Sequence, residues 1–279
     1  MPVVRDQAFL LKRAPYGESS LVVHAFTRQH GRVHLIAKGA YRATSRYFCV
    51  LDFFDTLDIE WSDGRGQALA ILRWGTVLER RRTIAADLER YQAALLMVEL
   101  TELAGRPDQA EQGLFGLLRT GLDALAAGAA PTLALVVFEL GFLQNLGLSP
   151  ALIACAACGL TAAPVTPDGL RAAFSAGAGG RLCRPCAEEA KRAGRRVGTL
   201  PVEILSAAQE LSPRGAAEAD PIPAPDVPAP DVLVRVRDLL ERFLDYHLET
   251  RPKTSQTFLS VPNRNAPEPG HPGPAGALP

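Results

Sequence analysis

Two cysteine pairs, Cys155-Ala-Ala-Cys158 and Cys183-Arg-Pro-Cys186, restrict the fold of this chain more than any other feature. A CxxC turn directs two sulfurs to one side, and two such turns roughly 15–25 residues apart read as a four-thiolate metal site. The segment between them, 159–182, has that length. A closed shell of four sulfurs keeps no position for water or substrate, so the expected cofactor is a structural zinc ion rather than a catalytic one. The alternatives are two disulfides or four unrelated buried thiols. Disulfides belong to oxidising compartments, and the first residues lead into a short alternating segment instead of a long apolar signal core. Gly159 after the first pair, and Gly177, Gly179 and Gly180 before the second, suit sharp turns. Residues 187–196 have the pattern of a short helix. The result is a zinc-ribbon-like insert over 153–198, too small to be the whole fold.

At 279 residues the chain exceeds the usual single-domain size, so two domains plus the insert are expected. Basic and acidic residues balance at 30 each, but not locally. Residues 1–50 hold eight basic side chains against Asp6 and Glu18, a surplus of six, while 51–63 hold five acidic ones and no base. A polyanion should therefore meet the first fifty residues. The most apolar run, 132–148, is shorter than the roughly 20 residues of a membrane span and contains Glu139 and Gln144, so it reads as a buried helix. A soluble, cytoplasmic protein without membrane contact is expected.

The first third alternates with period two, the mark of half-buried strands. Strands are predicted over 7–12, 20–27, 32–37, 54–60 and 68–74, separated by turn signals at Pro15-Tyr16-Gly17, His30-Gly31, Lys38-Gly39-Ala40 and Asp63-Gly64-Arg65-Gly66. Five short strands without a crossover helix predict an antiparallel OB-fold barrel over 1–80, a scaffold that binds single-stranded nucleic acid with basic and aromatic side chains. Arg28, Arg32, Lys38, Arg42, Arg46 and Tyr47 are the candidate DNA contacts, with His34, Tyr41 and Phe48 beside them. Tyr47 and Phe48 suit the barrel core as well as a stacking platform. His24 and His34 have no sequence neighbours that complete a metal or catalytic set, and read as packing or hydrogen-bonding residues.

After Arg80-Arg81-Arg82 the period becomes helical. Asp87 should cap the first long helix; further helices are expected over 111–127, 131–146, 201–211 and 232–249. Prolines at 213, 221, 223, 225, 228 and 230 make 212–231 an extended linker within an α-helical domain spanning 81–261, and 262–279 a disordered Pro/Gly-rich tail. No Ser-His-Asp set, phosphate loop, HExxH or paired-carboxylate pattern is present, so no catalytic residues are expected and the chain does not read as an enzyme.

The order of parts resembles the bacterial RecO family of recombination mediators. The residues that carry the likeness are Ala8-Phe9-Leu10-Leu11-Lys12-Arg13 with Tyr16-Gly17-Glu18-Ser19, Phe26-Thr27 through Gly31-Arg32, Ala37-Lys38-Gly39-Ala40 and Ser45-Arg46. Leu146-Gly147-Leu148-Ser149-Pro150, the cysteine quartet and Tyr246-His247-Leu248 follow. The resemblance implies a non-enzymatic DNA-repair factor, associated with the bacterial nucleoid. Such a factor binds single- and double-stranded DNA, anneals complementary strands, associates with RecR and single-stranded DNA-binding protein, and thereby helps RecA onto DNA. It puts Lys38, Arg42 and Arg46 first among the DNA contacts and makes Arg181, Arg184, Lys191, Arg192, Arg195 and Arg196 a secondary basic patch. The Pro-rich stretch and the tail look like additions to the family pattern. A zinc-stabilised protein-interaction scaffold, whose basic barrel meets an acidic protein tail instead of DNA, is the alternative.

Overall fold

The computed structural model describes residues 3–47, 49–62, 69–213 and 227–248, with 252 and 254. The predicted turn at 63–66, most of the Pro-rich linker, Phe48 and the 262–279 tail lie outside the described residues.

Five strands, β1 (Val3–Tyr16), β2 (Ser20–Thr27), β3 (Gly31–Ala37), β4 (Thr56–Ser62) and β5 (Ala70–Glu79), close into a barrel in the order β1-β2-β3-β5-β4. All neighbours are antiparallel except β3 and β5, which close the barrel in parallel through Leu35↔Ala70 and Ile36↔Ile71. This is the OB-fold arrangement expected from the strand count. Alternation sets the faces: Leu21, Val23 and Ala25 of β2 and Val33, Leu35 and Ala37 of β3 are buried, while Val22, His24, His34 and Ile36 are half-buried on the outside. β1 is longer than its hydrophobic pattern, because its far half continues to pair with β2 from Lys12↔His24 to Tyr16↔Ser20 after a bulge at Leu11.

Seven helices follow among the described residues: α1 (Arg82–Ala85), α2 (Leu88–Ala104), α3 (Gln112–Ala126), α4 (Pro131–Asn145), α5 (Arg184–Arg192), α6 (Val202–Leu211) and α7 (Pro230–His247). Asp87 caps α2, its carboxylate accepting the Arg90 amide at 2.9 Å, as the sequence pattern indicates. α4 is apolar on nearly every side and sits centrally, against α2, α3, α6 and α7. The predicted linker ends two residues early, since Pro230 opens α7, where a missing N–H costs nothing. Between α4 and α6 lies a small sheet, β7-β6-β8, made by β6 (Arg171–Ser175), β7 (Gly180–Leu182) and β8 (Gly198–Pro201), with α5 packed on β6.

Barrel and helices share a core. Phe9, Leu11, Phe26 and Phe54 come from the barrel side but belong to the helical cluster, with Phe9 and Phe26 both against Phe115 of α3, ring centroids 4.9 and 6.1 Å apart. The β2–β3 turn docks on the chain after α2: Arg32 N–H donates to the Arg106 carbonyl at 2.9 Å, and a Cβ on Gly31 (φ 64°) would overlap the Gln109 and Arg106 carbonyl oxygens. Only glycine fits there. The buried Asp6 carboxylate fixes the same turn by accepting from Gln29 N–H at 2.7 Å and from His30 Nδ1 at 3.0 Å.

Arg81 joins the two parts from within. It is 4% exposed and donates to the Phe54 carbonyl (2.9 Å), Thr56 Oγ1 (2.9 Å), Glu79 Oε2 (2.7 Å) and Asp123 Oδ1 of α3 (2.7 Å), with its guanidinium over the Phe9 ring. A buried cation is tolerable only when paired and hydrogen-bonded in this way.

Candidate metal centre and nucleic-acid interface

The first cysteine pair stands on a tight turn. Cys155 N–H donates to the Leu160 carbonyl at 2.8 Å and Gly159 N–H to the Cys155 carbonyl at 2.9 Å, with Gly159 at φ 74°. The second pair opens α5: Cys183 is its N-cap and Cys186 lies in its first turn, so both sulfurs sit at the positive end of the helix dipole. β7 brings the pairs together, because Ala156 N–H donates to the Arg181 carbonyl and Arg181 N–H to the Ala151 carbonyl. β7 passes Ala151 so closely that a Cβ on Gly180 (φ 141°) would overlap that residue's backbone.

All five cysteines are free thiols. The sulfurs of Cys155, Cys158, Cys183 and Cys186 lie within 4.8 Å of one another, and Cys158 and Cys183 are 3.9 Å apart. A tetrahedral ion with metal–sulfur bonds of about 2.3 Å needs sulfurs about 3.8 Å apart, so the quartet can hold a metal ion after a small contraction. Its acid–base chemistry agrees. Burial opposes ionisation of Cys155, but amide donors of Cys183, Cys158 and Ala157 prevail and bring it down to about 6. The bond from Cys183, burial and the neighbouring sulfurs push Cys186 up to about 12. One thiolate thus disfavours the next, and a cation at their centre is what allows all four. Cys49 is exposed, far along the chain from this cluster, and takes no part in it.

The candidate DNA contacts divide into two groups. Lys38 and Arg42 are exposed at the edge where β3 ends; Tyr41 N–H donates to the Ser19 carbonyl at 3.0 Å, tying their loop to the β1–β2 turn. Arg46, also exposed, extends the loop towards β5 and donates to the Arg73 carbonyl at 3.3 Å. Arg28 and Arg32 lie at the opposite end of the β2–β3 ladder, about 20 Å away at the usual rise per residue. Arg28 is exposed, while Arg32 is half-buried and donates to the Glu102 carbonyl at 3.0 Å.

Tyr47 departs from the stacking expectation. It is 8% exposed and its hydroxyl donates to the Leu72 carbonyl at 2.7 Å, so the ring belongs to the barrel core and anchors the loop. Arg181 leaves the secondary basic patch for a similar reason: it is buried, with NH1 3.4 Å from the Leu152 carbonyl. Lys191, Arg192, Arg195 and Arg196 remain exposed.

The helical part covers one end of the outer β2–β3 face. His24 and His34 stack with centroids 4.1 Å apart, and His24 Nδ1 lies 3.0 Å from Glu102 Oε1 of α2. Burial, then the neighbouring His24 and Arg32, holds His34 below the ordinary imidazole range. The acidic segment after the loop is largely spent on internal pairs, Asp58 with Arg5 and Asp55 with Arg80 and the Arg81 amide. Lys38, Arg42 and Arg46 make no ion pair among the described residues and lie together on the loop at the end of the barrel away from α2; Lys12, in the row of His24, and Arg28, at the opposite end, are likewise without an ion pair.

Comparison with known proteins decides the family. Residues 1–81 match Recombination protein O N terminal, and residues 85–256 match Recombination protein O C terminal. The chain belongs to the RecO family. Its relatives include the DNA repair protein RecO of Anaeromyxobacter sp. (strain K), 36% identical over 90% of this chain and 94% of the relative. The DNA repair protein RecO of Myxococcus xanthus (strain DK1622) is 31% identical over 92% and 97%, and that of Nocardioides sp. (strain ATCC BAA-499 / JS614) is 30% identical over 88% and 94%. This RecO-family chain thus pairs a barrel with an uncommitted basic edge and a helical part carrying a four-sulfur cluster. Among the described residues, no helix is long and apolar enough to cross a membrane.

Proposed function

We propose that this chain is a DNA-binding recombination mediator of bacterial DNA repair. It anneals complementary strands and, with RecR, helps load RecA onto DNA covered by single-stranded DNA-binding protein, without a catalytic step of its own. It works in the cytoplasm at the nucleoid. Within it, 1–80 act as the DNA-binding unit and 81–261 as the helical unit. Family membership over 1–81 and 85–256 supports the repair role. The observation that carries the DNA contact is the clustering of unpaired charge, with Lys38, Arg42 and Arg46 exposed on one loop while Asp58 and Asp55 of the acidic segment are held by Arg5, Arg80 and Arg81.

The same reading makes the metal a structural zinc ion. Cys155, Cys158, Cys183 and Cys186 would hold it, and it would supply cross-linking of two turns, with no ligand position left for chemistry.

The test is binding and annealing of oligonucleotides by the full chain and by a Lys38→Ala/Arg42→Ala/Arg46→Ala variant. Each phosphate contact contributes about 0.7 to the slope of log affinity against log salt on a single strand, so the variant should lose about 2 from that slope. An unchanged slope and undiminished annealing would remove these residues from the site. No mobility shift of the unaltered chain with any oligonucleotide would favour the protein-interaction scaffold. A pull-down with RecR and with the C-terminal peptide of single-stranded DNA-binding protein tests the partners.

A further inference from the structure

The register of the first three strands places a second kind of group beside the uncommitted cations. Residues paired directly across antiparallel strands share a face, and alternate residues along a strand share it too. Tyr16↔Ser20, Ala14↔Val22↔Ile36 and Lys12↔His24↔His34 are therefore successive rows of one outer surface. The last row is closed off by Glu102 of α2, and the first is open.

At that open end two tyrosines stand in solvent. Tyr16 and Tyr41 are each 56% exposed, on adjoining turns joined by the Tyr41 N–H to Ser19 carbonyl bond. Neither ring contacts another ring, and neither hydroxyl has a hydrogen-bond partner among the described residues. One exposed ring is ordinary on a protein surface. Two on abutting turns, beside Lys38 and Arg42, give nothing to the barrel core, yet combine the flat apolar surfaces and fixed positive charge that complement an unpaired nucleotide. Arg42 is held close, its side chain folding back over Gly39.

We infer that Tyr16 and Tyr41 form a base-stacking platform that makes this site prefer single-stranded over duplex DNA. The inference rests on the DNA-binding reading above and adds to it the strand preference and the two residues that set it. A lysine or arginine reads phosphate equally on either form of DNA, whereas a duplex keeps its base faces against one another and offers none to an aromatic ring. The preference must therefore come from the rings, and the salt dependence from the cations.

The experiment is a titration of the full chain against a short labelled oligothymidylate and against a duplex of equal length, across a salt series. Tyr16→Ala and Tyr41→Ala are each expected to weaken oligothymidylate binding by about 5- to 150-fold, the range of one lost stack. Duplex affinity and the salt slope should stay at their original values. Tyr16→Trp and Tyr41→Trp should retain the affinity, and their added indole fluorescence should be quenched by the oligonucleotide. Alanine variants that bind oligothymidylate as well as the unaltered chain, or that lose both DNA forms alike, overturn the platform while leaving the DNA reading standing. Failure of the unaltered chain to bind either form overturns both.

Discussion

Burial of Glu139 makes stability fall as pH rises, which is opposite to the common behaviour of a surface carboxylate. Glu139 is in the middle of α4 with 1% of its surface exposed; Arg237 of α7 pairs with it at 3.2 Å and with Glu241 at 3.4 Å. Burial raises the Glu139 carboxyl from an ordinary 4.5 to about 7; Arg237 opposes that rise and Glu241 adds to it. A group that holds its proton more tightly when folded contributes its full share of stability below the unfolded value near 4.5 and loses it as pH climbs through about 7. A shift of that size is worth about 3 kcal/mol as an upper figure. Glu139→Gln copies the protonated form in the same volume. Urea unfolding should find the variant nearly equal to the unaltered protein at about pH 4 and more stable by about 1–3 kcal/mol at about pH 8. Comparing the two proteins cancels the titrations of groups remote from the pair. A stability difference independent of pH, or a variant weaker at the higher pH, would refute this account of the buried pair.

Arg81→Ala should cost about 2–4 kcal/mol in urea unfolding, below the full 3–5 kcal/mol for a broken buried pair, because Glu79 and Asp123 are 52% exposed and can rehydrate. Chelation, or Cys155→Ser, should lower the melting temperature before it lowers oligonucleotide affinity, since metal ligation contributes folding energy; affinity falling at constant stability would instead give the metal a direct role in binding. Tyr47→Phe should lose about 1 kcal/mol with the Leu72 bond, and leave DNA binding unaltered, which a binding titration and a melt on the same sample will show.

Much of this architecture was legible because local rules and tertiary packing agree. β2 occupies the predicted 20–27, where alternation coincides with one buried and one outer face, and Asp87 caps α2 as its type and position suggest. The cysteine spacing likewise anticipates a cluster that depends only on two turns and the strand between them. The insert's sheet was not legible: β6 and β7 are five and three residues long and carry Ala, Gly and Arg where β-branched residues would signal strands. In the sequence Arg81 is only the middle of three arginines before the helical period begins; its partners Asp123 and Phe54 are brought to it by folding. Arg28 and Arg32 look like neighbours of Lys38 in a list of bases, yet the antiparallel ladder carries them to the other end of the barrel. Tyr47 had no period to place it, since its neighbours form no regular element, and its core position follows from a bond to β5.

The shared aromatic contact has a consequence for how the two halves can evolve. Phe9 and Phe26, from two barrel strands, meet on the single ring of Phe115 in α3, so a change in the shape of that ring is felt on both strands at once. Cut apart near Arg81, each half would carry an oily scar, with three phenylalanines of the barrel side facing water. A fully buried phenylalanine is worth about 1.5–3 kcal/mol, so such a fragment would start life sticky as well as weakened. The seam therefore couples the histories of the halves: neither can be exchanged for a relative's version unless the matching face travels with it.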